Sequence, residues 1–311
     1  MARKPIWIDT DSGIDDAIAL LVAFQLESID IKGISSVSGN VELSKTFKNN
    51  RNIAYLAGNE HIKVYAGADR PLNNDQNLAA NIHGENGLGD VEIKNSPVEI
   101  ETEKAWDKLY EVAKASKGEL EIVAVGPLTN IATAIAKYPD IEAYIKRILI
   151  MGGAIEGGNK TPAAEFNIYA DPHAAEIVFK SNIPKVMFGL DVTLKSVLKV
   201  KELKKLREKE SSVSKFFFEA TDRIMKIYNT LGFVDSICLH DVCPVLYLEY
   251  PEIFSGECAG VYVETEGEIT MGKTVCDLRS DFKFDKRDTL VMLDVDSTKF
   301  LKTIERLLLK Y

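Results

Sequence analysis

Residues 5–26, PIWIDTDSGIDDAIALLVAFQL, decide the fold class. A short apolar run, Ile6–Ile8, ends at a polar turn that holds four carboxylates, and the mostly apolar stretch Asp15–Leu26 follows. The run has the length and composition of a buried strand, and the stretch has those of a helix. Gly13 lets the chain turn sharply between the two. The pattern predicts a strand–turn–helix unit with acidic side chains at the C-terminal end of the strand.

The rest of the chain repeats this alternation of short β-branched runs and amphipathic stretches. Predicted strands are Ile6–Ile8, Ile29–Val37, Ile62–Ala66, Leu120–Val125, Ile148–Met151, Val186–Leu190, Cys258–Thr265 and Val291–Leu293. Predicted helices are Asp15–Leu26, Val41–Leu56, Glu103–Ala115, Asn130–Lys137, Pro172–Lys180, Val213–Tyr228 and Lys299–Leu309. The alternation predicts an α/β fold with an open, mostly parallel sheet and helices on both faces. We found no linker, which predicts one domain over residues 1–311. The segment Leu72–Asp90 lacks periodicity, which is typical of a functional or a mobile loop.

Composition excludes several classes of protein. Of the 311 residues, 46% are hydrophobic and 27% are charged, values that are typical of a globular protein. The net charge of −9 argues against binding to nucleic acid or to an anionic membrane. The longest apolar run, Ala17–Phe24, is too short to cross a bilayer. The four cysteines have no CxxC spacing, which favours reduced thiols and a cytoplasmic location.

Polar residues lie where predicted strands end. Asp9 and Asp11 follow the first strand, Asn40 follows the second, and Gly126–Asn130 and Met151–Gly153 follow two later ones. Ligands of open α/β sheets bind outside the carboxyl ends of the strands. We therefore expect these residues to meet in one cleft.

The acidic turn requires a partner for its charge. Asp9, Asp11, Asp15 and Asp16 lie within eight residues. Two carboxylates about 4 Å apart repel by roughly 4 kcal/mol at an effective dielectric constant near 20. A hard divalent cation bound by oxygen ligands removes this repulsion. Three alternatives compete: a solvated acidic helix start, an EF-hand loop, which lacks the Glu at its twelfth position, and a haloacid-dehalogenase-type phosphatase, which also begins with a strand and D-x-D.

Several blocks together resemble the nucleoside hydrolase family, in particular its inosine-uridine preferring type. They are DTDSGIDDA (9–17), SGN (38–40), HGENGLG (83–89), VGPLTN (125–130), MGGAIEGGN (151–159), AEFNIYADP (164–172) and HD (240–241). The resemblance runs from residue 6 to at least Thr274. It implies a Rossmann-like topology, hydrolysis of the N-glycosidic bond of ribonucleosides to free base and ribose, and a homodimer or homotetramer. Ser12 stands where the family often has Pro, and we expect this difference to loosen the turn.

The resemblance also implies roles for individual residues. Calcium would be bound by Asp11, Asp16, Asp241 and the backbone carbonyl of Val125, with Asp9 orienting these ligands from behind. The ribose 2′- and 3′-hydroxyls would be held by Asp15, Asn40, Asn167 and Asp241. The 5′-hydroxyl would lie against Met151, Asn159 and Glu165. The base would be surrounded by His83, Phe166, Tyr228 and His240.

The chemistry explains why such residues are needed. Cleavage builds positive charge on the ribose and negative charge on the departing base. Carboxylate and carbonyl oxygens of the protein stabilise the positively charged sugar. Asp11 would take a proton from the attacking water, and His240 would donate to the base. In the family that the chain resembles, purine-specific members usually activate the base by stacking it on Trp. Here neither Trp lies in a site motif, and Tyr228 lies twelve residues before His240, where base contacts come from in the relatives, so the resemblance implies uridine and inosine as substrates. Two other functions remain open: a phosphatase with Asp9 as nucleophile, and a protein that binds a ribosyl compound without turnover.

Overall fold

The N-terminal strand–turn–helix unit forms as predicted in the computed structural model, which describes residues 3–232, 235–279 and 287–311. Strand β1 (Lys4–Thr10) is followed by a three-residue turn and helix α1 (Ile14–Ala23), all of whose residues are buried. Gly13 is the N-cap of α1. A Cβ at this position would lie 2.5 Å from Nδ1 of His83, so the close approach of that ring requires glycine.

The remaining strands and helices are named in chain order. Beyond β1, the strands are β2 (Ile29–Ser36), β3 (Val64–Ala66), β4 (Leu120–Ala124), β5 (Ile145–Met151), β6 (Lys185–Phe188), β7 (Val197–Lys199), β8 (Ser236–Cys238), β9 (Phe254–Val263), β10 (Thr274–Asp277) and β11 (Thr289–Val295). Beyond α1, the helices are α2 (Leu43–Leu56), α3 (Ala80–His83), α4 (Ala105–Ser116), α5 (Thr129–Lys137), α6 (Phe166–Ala170), α7 (Pro172–Lys180), α8 (Leu190–Thr193), α9 (Lys204–Glu208), α10 (Ser212–Thr230), α11 (Val242–Tyr247) and α12 (Ser297–Leu308). Short 3₁₀ turns span Pro139–Tyr144, Val200–Glu202 and Pro251–Ile253.

The central sheet has the strand order β10-β9-β11-β6-β5-β4-β1-β2-β3. The strands from β3 to β11 in this order pair in parallel, and β9 is antiparallel to both of its neighbours. The order β3-β2-β1-β4-β5-β6 is that of the Rossmann fold. The chain adds strands toward one edge of the sheet from β1 to β3 and toward the other edge from β4 to β6, so the strand order reverses between β1 and β4. The predicted α/β class, with its open and mostly parallel sheet, is confirmed.

Helices cover both faces of the sheet, and alternate residues of β1 face the two layers. Ile6 and Ile8 pack in one core with residues of α1, α10, α11 and α12. Trp7 packs in the other core with residues of α4, α5 and α7. The Trp7 indole N–H donates to the Ser35 hydroxyl (2.8 Å), so its polar atom is paired within the core. The period of two residues thus places the strand between two apolar layers.

Most differences from the predicted elements concern short segments. The seven predicted helices form with ends shifted by a few residues, and the late strand predicted at Cys258–Thr265 begins four residues earlier, at Phe254. The segment Leu72–Asp90 was predicted to lack regular structure but contains the single turn of α3. Several of the short elements, namely β7, β8, β10, α6, α8, α9 and α11, were not predicted, because they are too short to show a clear hydrophobic period.

Two further features bear on the predictions from composition. Across the described ranges, no helix has both the length and the apolarity needed to cross a membrane. All four cysteines are free thiols: Cys238 and Cys243 are buried, Cys276 is partly exposed and Cys258 is exposed. The ends of β1, β4 and β5 open on the same edge of the sheet, where the polar residues collect.

Candidate active site

A cavity of about 320 Å³ opens beside the reversal point of the sheet. Its volume lies at the lower end of the range for small-molecule sites. Each of the ten residues predicted to contact substrate lines this cavity: Asp15, Asn40, His83, Met151, Asn159, Glu165, Phe166, Asn167, Tyr228 and Asp241. His240 and Val125 line it too. Residues from seven separate blocks of the sequence therefore meet at one place, as the strand-end argument predicts.

Four carboxylates meet at this cavity: Asp15 and Asp241 line it, and the completely buried Asp11 and Asp16 lie against them without lining it. Ligand atoms of Asp15, Asp16 and Asp241 lie within 4.8 Å of one another, and all three side chains are buried. Asp11 lies against Asp16 and is completely buried. No donor among the described residues reaches Oδ1 of Asp11. A buried oxygen without a partner, next to three other carboxylates, fits a bound cation.

The pKa values of these carboxyl groups reflect their crowding. Burial raises the pKa of Asp15 to about 7, and the neighbouring Asp16 contributes to the shift. Burial raises the pKa values of Asp11 and Asp241 well above the usual range, and the nearby aspartates add to both shifts. Carboxyl groups that resist ionisation near neutral pH indicate that positive charge is missing from their surroundings.

Backbone and amide groups fix the orientation of the two deepest carboxylates. The Asn40 backbone N–H donates to Oδ2 of Asp11 (2.7 Å), and the Asn40 side-chain amide donates to Oδ2 of Asp16 (3.0 Å). A Cβ on Gly39 would lie 2.1 Å from Oδ2 of Asp11, so glycine is needed before Asn40. The Thr10 hydroxyl and the Gly13 N–H also donate to Asp16. The SGN block thus holds the acidic turn from the end of β2.

Ser12 fastens the turn, contrary to the expectation that it would loosen it. Its hydroxyl donates to the side-chain carbonyl of Asn50 (2.6 Å), and the Asn50 amide donates to the hydroxyl of Ser36 (2.8 Å). All three residues are completely buried. The Asn49 amide also donates to the Ser12 carbonyl (3.3 Å). The turn is therefore tied to α2 and to the end of β2 through side chains.

Asp9 lies behind the cavity and does not line it. Its Oδ1 accepts hydrogen bonds from the Asn130 amide (2.7 Å) and from the Ser35 hydroxyl. Burial raises the pKa of Asp9 to about 6. Its hydrogen bonds join the ends of β1 and β2 to α5. Asp9 therefore supports the floor of the site, and its contacts go to these neighbours.

Asn167 and Glu165 form another part of the cavity wall. The Asn167 amide donates to the backbone carbonyls of Val125 (2.9 Å) and Met151 (3.1 Å), which joins the ends of β4 and β5. Glu165 is the N-cap of α6 and accepts from the N–H groups of Gly153, Asn167 and Ile168. Burial raises the pKa of Glu165 to about 7. The side-chain oxygen of Asn167 remains available to accept a hydrogen bond from a ligand.

Two histidines and a tyrosine also line the cavity. Nδ1 of His83 accepts from the Ile14 N–H (3.1 Å), so this neutral ring carries its proton on Nε2. The ring of His240 lies between two hydroxyls: Nε2 is 2.7 Å from Tyr228 Oη, and Nδ1 is 2.8 Å from Thr193 Oγ1. Burial lowers the pKa of each histidine to about 4. Both rings are therefore neutral near pH 7.

Several residues that line this cavity were not predicted from the sequence. They are Leu78, Ala79, Asn81, Ile82, Lys160, Leu194, Ile224, Ile227, Leu231 and Cys238. The apolar residues of α10 have the spacing of an ordinary packing face, so no local signal separates them from core residues. Thr193, which contacts His240, belongs to a four-residue helix that the sequence pattern does not reveal.

The fold and the cavity together define a class of enzyme. A Rossmann-type sheet carries an oxygen-rich pocket that fits a divalent cation and a small polyhydroxyl ligand, with neutral hydrogen-bonding groups at one end. Comparison with known proteins makes the class specific. The model of the inosine-uridine preferring nucleoside hydrolase family matches residues 6–302. The chain therefore belongs to this family.

Individual relatives support the assignment. The chain is 39% identical over 309 residues to a pyrimidine-specific ribonucleoside hydrolase, RihA, of Klebsiella pneumoniae subsp. pneumoniae, with 99% of each chain covered. A solved purine-preferring ribonucleoside hydrolase from Gardnerella vaginalis is 34% identical, with a TM-score of 0.92 and 98% of each chain covered. A solved plant nucleoside hydrolase, PpNRh1, is 29% identical, with the same TM-score and coverage.

These findings confirm the predicted class of activity. The protein is an N-glycosidic hydrolase that acts on ribonucleosides. The two functions that the sequence left open, a phosphatase with Asp9 as nucleophile and a binding protein without turnover, are not supported. Asp9 is completely buried, and its contacts support strands rather than a substrate.

Proposed function

We propose that the enzyme hydrolyses uridine and inosine at a calcium site formed by Asp11, Asp16, Asp241 and the carbonyl of Val125. The observation that carries this proposal is the group of four buried carboxylates, one of which has an oxygen without a donor. Asp15 belongs to the same tight group, which supports a position for it between the ion and the ribose. Oxygen ligands of this kind suit Ca²⁺.

The bound ion would supply positive charge that lets the carboxylates ionise together, and it would make a coordinated water more acidic. Asp11 then acts as the general base. The Asn40 N–H donates to its Oδ2 and so fixes the carboxylate, which takes the proton of the attacking water. The water oxygen forms a bond to C1′ of the ribose as the bond from C1′ to the base nitrogen breaks.

The ribose is recognised through its hydroxyls. Asp15 and Asp241 accept from the 2′- and 3′-hydroxyls, together with the side-chain oxygens of Asn40 and Asn167. The amide nitrogens of both asparagines already donate to protein groups, so their oxygens face the ligand. The 5′-hydroxyl end lies against Met151, Asn159 and Glu165, which line the cavity beside Phe166.

Departure of the base needs a proton, and the Tyr228–His240 pair supports this role. Both ring nitrogens of His240 are within hydrogen-bond distance of a hydroxyl, so the ring is already bonded before a substrate enters. Tyr228 is the member of the pair whose hydroxyl can donate to the base, and His240 Nε2 then returns a proton to it. His83, with its proton on Nε2, is a second donor at the base end.

The residues that line the cavity also support a preference for particular bases. No tryptophan is among the residues that line the cavity in the part of the chain that the structure describes, so stacking on indole does not activate a purine. Protonation by Tyr228 and His240 serves uracil and hypoxanthine alike. The RihA relative is pyrimidine-specific by name, which favours uridine as the better of the two substrates.

The test is a screen of the purified protein with calcium against uridine, cytidine, inosine, adenosine and guanosine. We expect turnover of uridine and inosine, and activity confined to adenosine and guanosine would contradict the proposed preference. His240→Ala should lower kcat on uridine by about 10²–10⁴-fold, the usual contribution of a positioned acid. It should spare a nitrophenyl riboside, whose leaving group needs no proton. His61→Ala, at an exposed position, is the matched control.

We further propose a cytoplasmic enzyme, supported by the four free thiols. The homodimer or homotetramer stays a prediction. Sedimentation equilibrium of the purified protein gives the number of subunits directly, and a monomer at micromolar concentration would contradict it.

A further inference from the structure

Two helices that are far apart in the sequence contribute to the same cavity. Ile82 and His83 of α3 line it, and so do Ile227 and Tyr228 of α10. α3 packs against α10. Beyond Ile224, the described residues of α10 are only partly buried or exposed. The core therefore holds α10 least firmly at the end that reaches the cavity, and contacts outside the core must fix its position there.

The loop after α3, residues 84–91, is closed by its own hydrogen bonds. The Gly89 N–H donates to the His83 carbonyl (2.7 Å). The side-chain oxygen of Asn86 accepts from the Asp90 N–H (3.0 Å). These bonds fold the loop back on itself, so that the position of Asp90 is fixed relative to His83. The HGENGLG block therefore does more than supply His83, because it also presents a carboxylate beside α10.

Arg223 of α10 bonds to both ends of this loop. Its Nη1 donates to Oδ2 of Asp90 (2.7 Å), and its Nε donates to the backbone carbonyl of Ile82 (3.2 Å). The guanidinium has donors in a fixed planar arrangement, so two bonds from it set the orientation of α10 as well as its distance from the loop. Arg223 lies one helical turn before Ile227, which lines the cavity. Burial lowers the pKa of His83 to about 4, and the nearby charge of Arg223 contributes to the shift.

We propose that Arg223 is a positioning residue for recognition of the base, which holds α10 against the loop of His83 before the nucleoside binds. This inference rests on the proposed function of His83 and Tyr228 as base contacts. Arg223 is not among the described residues that line the cavity, so it acts through the two segments that it joins. Binding costs less conformational entropy when the groups that contact the ligand are already in place. The contact thereby favours binding of the base and leaves the ribose and metal ligands at the strand ends unaffected.

The first experiment compares Arg223→Met with the wild-type enzyme in kcat and KM for uridine and in inhibition by ribose. Methionine keeps an unbranched apolar side chain and removes the guanidinium. Arg223 and Asp90 are both partly exposed, so we expect a modest rise of about 3- to 10-fold in KM for uridine, with kcat unchanged. The inhibition constant of ribose should stay the same, because ribose leaves the base end empty. An unchanged KM for uridine, or equal weakening of uridine and ribose, would overturn the proposal.

Two further variants show whether the contact itself is the cause. Asp90→Asn weakens the same ion pair and suits the left-handed backbone at this position (φ 63°), which Asn tolerates. Its effect on KM should be smaller than that of Arg223→Met and should vanish when the two substitutions are combined, whereas additive effects would contradict the proposal. Lys226→Met is the matched control, because Lys226 pairs with Asp222 within α10 (2.7 Å). It should leave KM for uridine unchanged.

The second experiment needs no turnover. Hydrogen exchange of the substrate-free protein, followed by mass spectrometry of peptides, measures how firmly the backbone of each segment is held. Arg223→Met should speed exchange both in residues 84–91 and in the last turns of α10, and Lys226→Met should leave residues 84–91 unchanged. Unaltered exchange of residues 84–91 in Arg223→Met would overturn the proposal. If the wild-type enzyme turned over no nucleoside, the proposed function would fail, whereas the exchange data would still decide whether Arg223 couples the two segments.

Discussion

Asp241→Asn should change metal affinity and metal-free stability in opposite directions. Asp241 is the N-cap of α11, yet its side chain makes no cap hydrogen bond and faces Asp15 and Asp16 instead. Replacing the carboxylate with an amide of similar size removes a negative charge without leaving a void. We expect weaker calcium binding, because an anionic ligand is lost, and a more stable metal-free protein, because a repulsive charge is lost.

The magnitude follows from the spacing of the carboxylates. Two unit charges at the 4.8 Å limit of the group repel by about 3.5 kcal/mol at an effective dielectric constant near 20. Protonation relieves part of this repulsion, as the raised pKa values of Asp15 and Asp241 indicate. The gain in the free energy of unfolding of the metal-free variant should therefore be smaller than the full repulsion, about 1–3 kcal/mol.

The assay combines two measurements on protein freed of metal by a chelator. Calcium titration calorimetry should give a Kd about 10²-fold higher for Asp241→Asn, a loss of about 2.7 kcal/mol. Urea unfolding should show the variant to be the more stable protein without calcium. Unchanged calcium affinity would refute the ligand assignment, and a less stable metal-free variant would refute the account of repulsion.

Asp171→Asn is the matched control. Asp171 is also completely buried, but it accepts from the Thr129 hydroxyl and from the N–H groups of Leu72 and Ala174. It therefore has donors where Asp241 has other carboxylates. This substitution should lower stability by about 1 kcal/mol, as loss of a cap does, and should leave calcium affinity unchanged.

Three further predictions concern the same site. Calcium affinity should rise as the pH rises from 5 to 8, because burial raises the pKa values of Asp11, Asp15 and Asp241 and the ion must displace protons from these carboxyl groups; pH-independent calorimetric affinity would contradict this. Ser12→Ala should lower the free energy of unfolding by about 1–3 kcal/mol, because the buried carbonyl of Asn50 loses its donor, and a double-mutant cycle with Asn50→Ala checks that this pair is the cause. 2′-Deoxyuridine should have a kcat/KM lower than that of uridine by about 10⁴-fold, because polar groups built to hold the 2′-hydroxyl are left unpaired; comparable values would refute the assignment of Asp15 and Asn167 to the ribose.

The sequence predicted the parts of the fold that depend on local pattern. The strand through Ile6–Ile8 and the helix after Gly13 follow from hydrophobic periodicity and one sharp turn, and both form within a few residues of the predicted ends. The residues at strand ends could be placed together because a parallel sheet carries all its C-terminal ends at one edge. The proximity of residues that lie far apart in the sequence could thus be predicted from a rule about the fold class.

Other parts of the site depend on contacts that the sequence does not encode locally. Thr193 reaches His240 only because a four-residue helix turns back beside the β8–α11 junction, and so short a helix has no period. Ser12 was expected to loosen the turn because it replaces the Pro of many family members, and its stabilising contact could not be predicted because the partner Asn50 lies 38 residues away. The residues of α10 that line the cavity share a periodic apolar face with those that pack in the core.

The most direct test of the account is product analysis with uridine and inosine before and after removal of metal. The protein is stripped with a chelator, and base and ribose are quantified by chromatography with and without added calcium. The account predicts equimolar uracil and ribose from uridine, and equimolar hypoxanthine and ribose from inosine, only when calcium is present. Full turnover by the stripped protein, or restoration by other divalent ions but not by calcium, would contradict it.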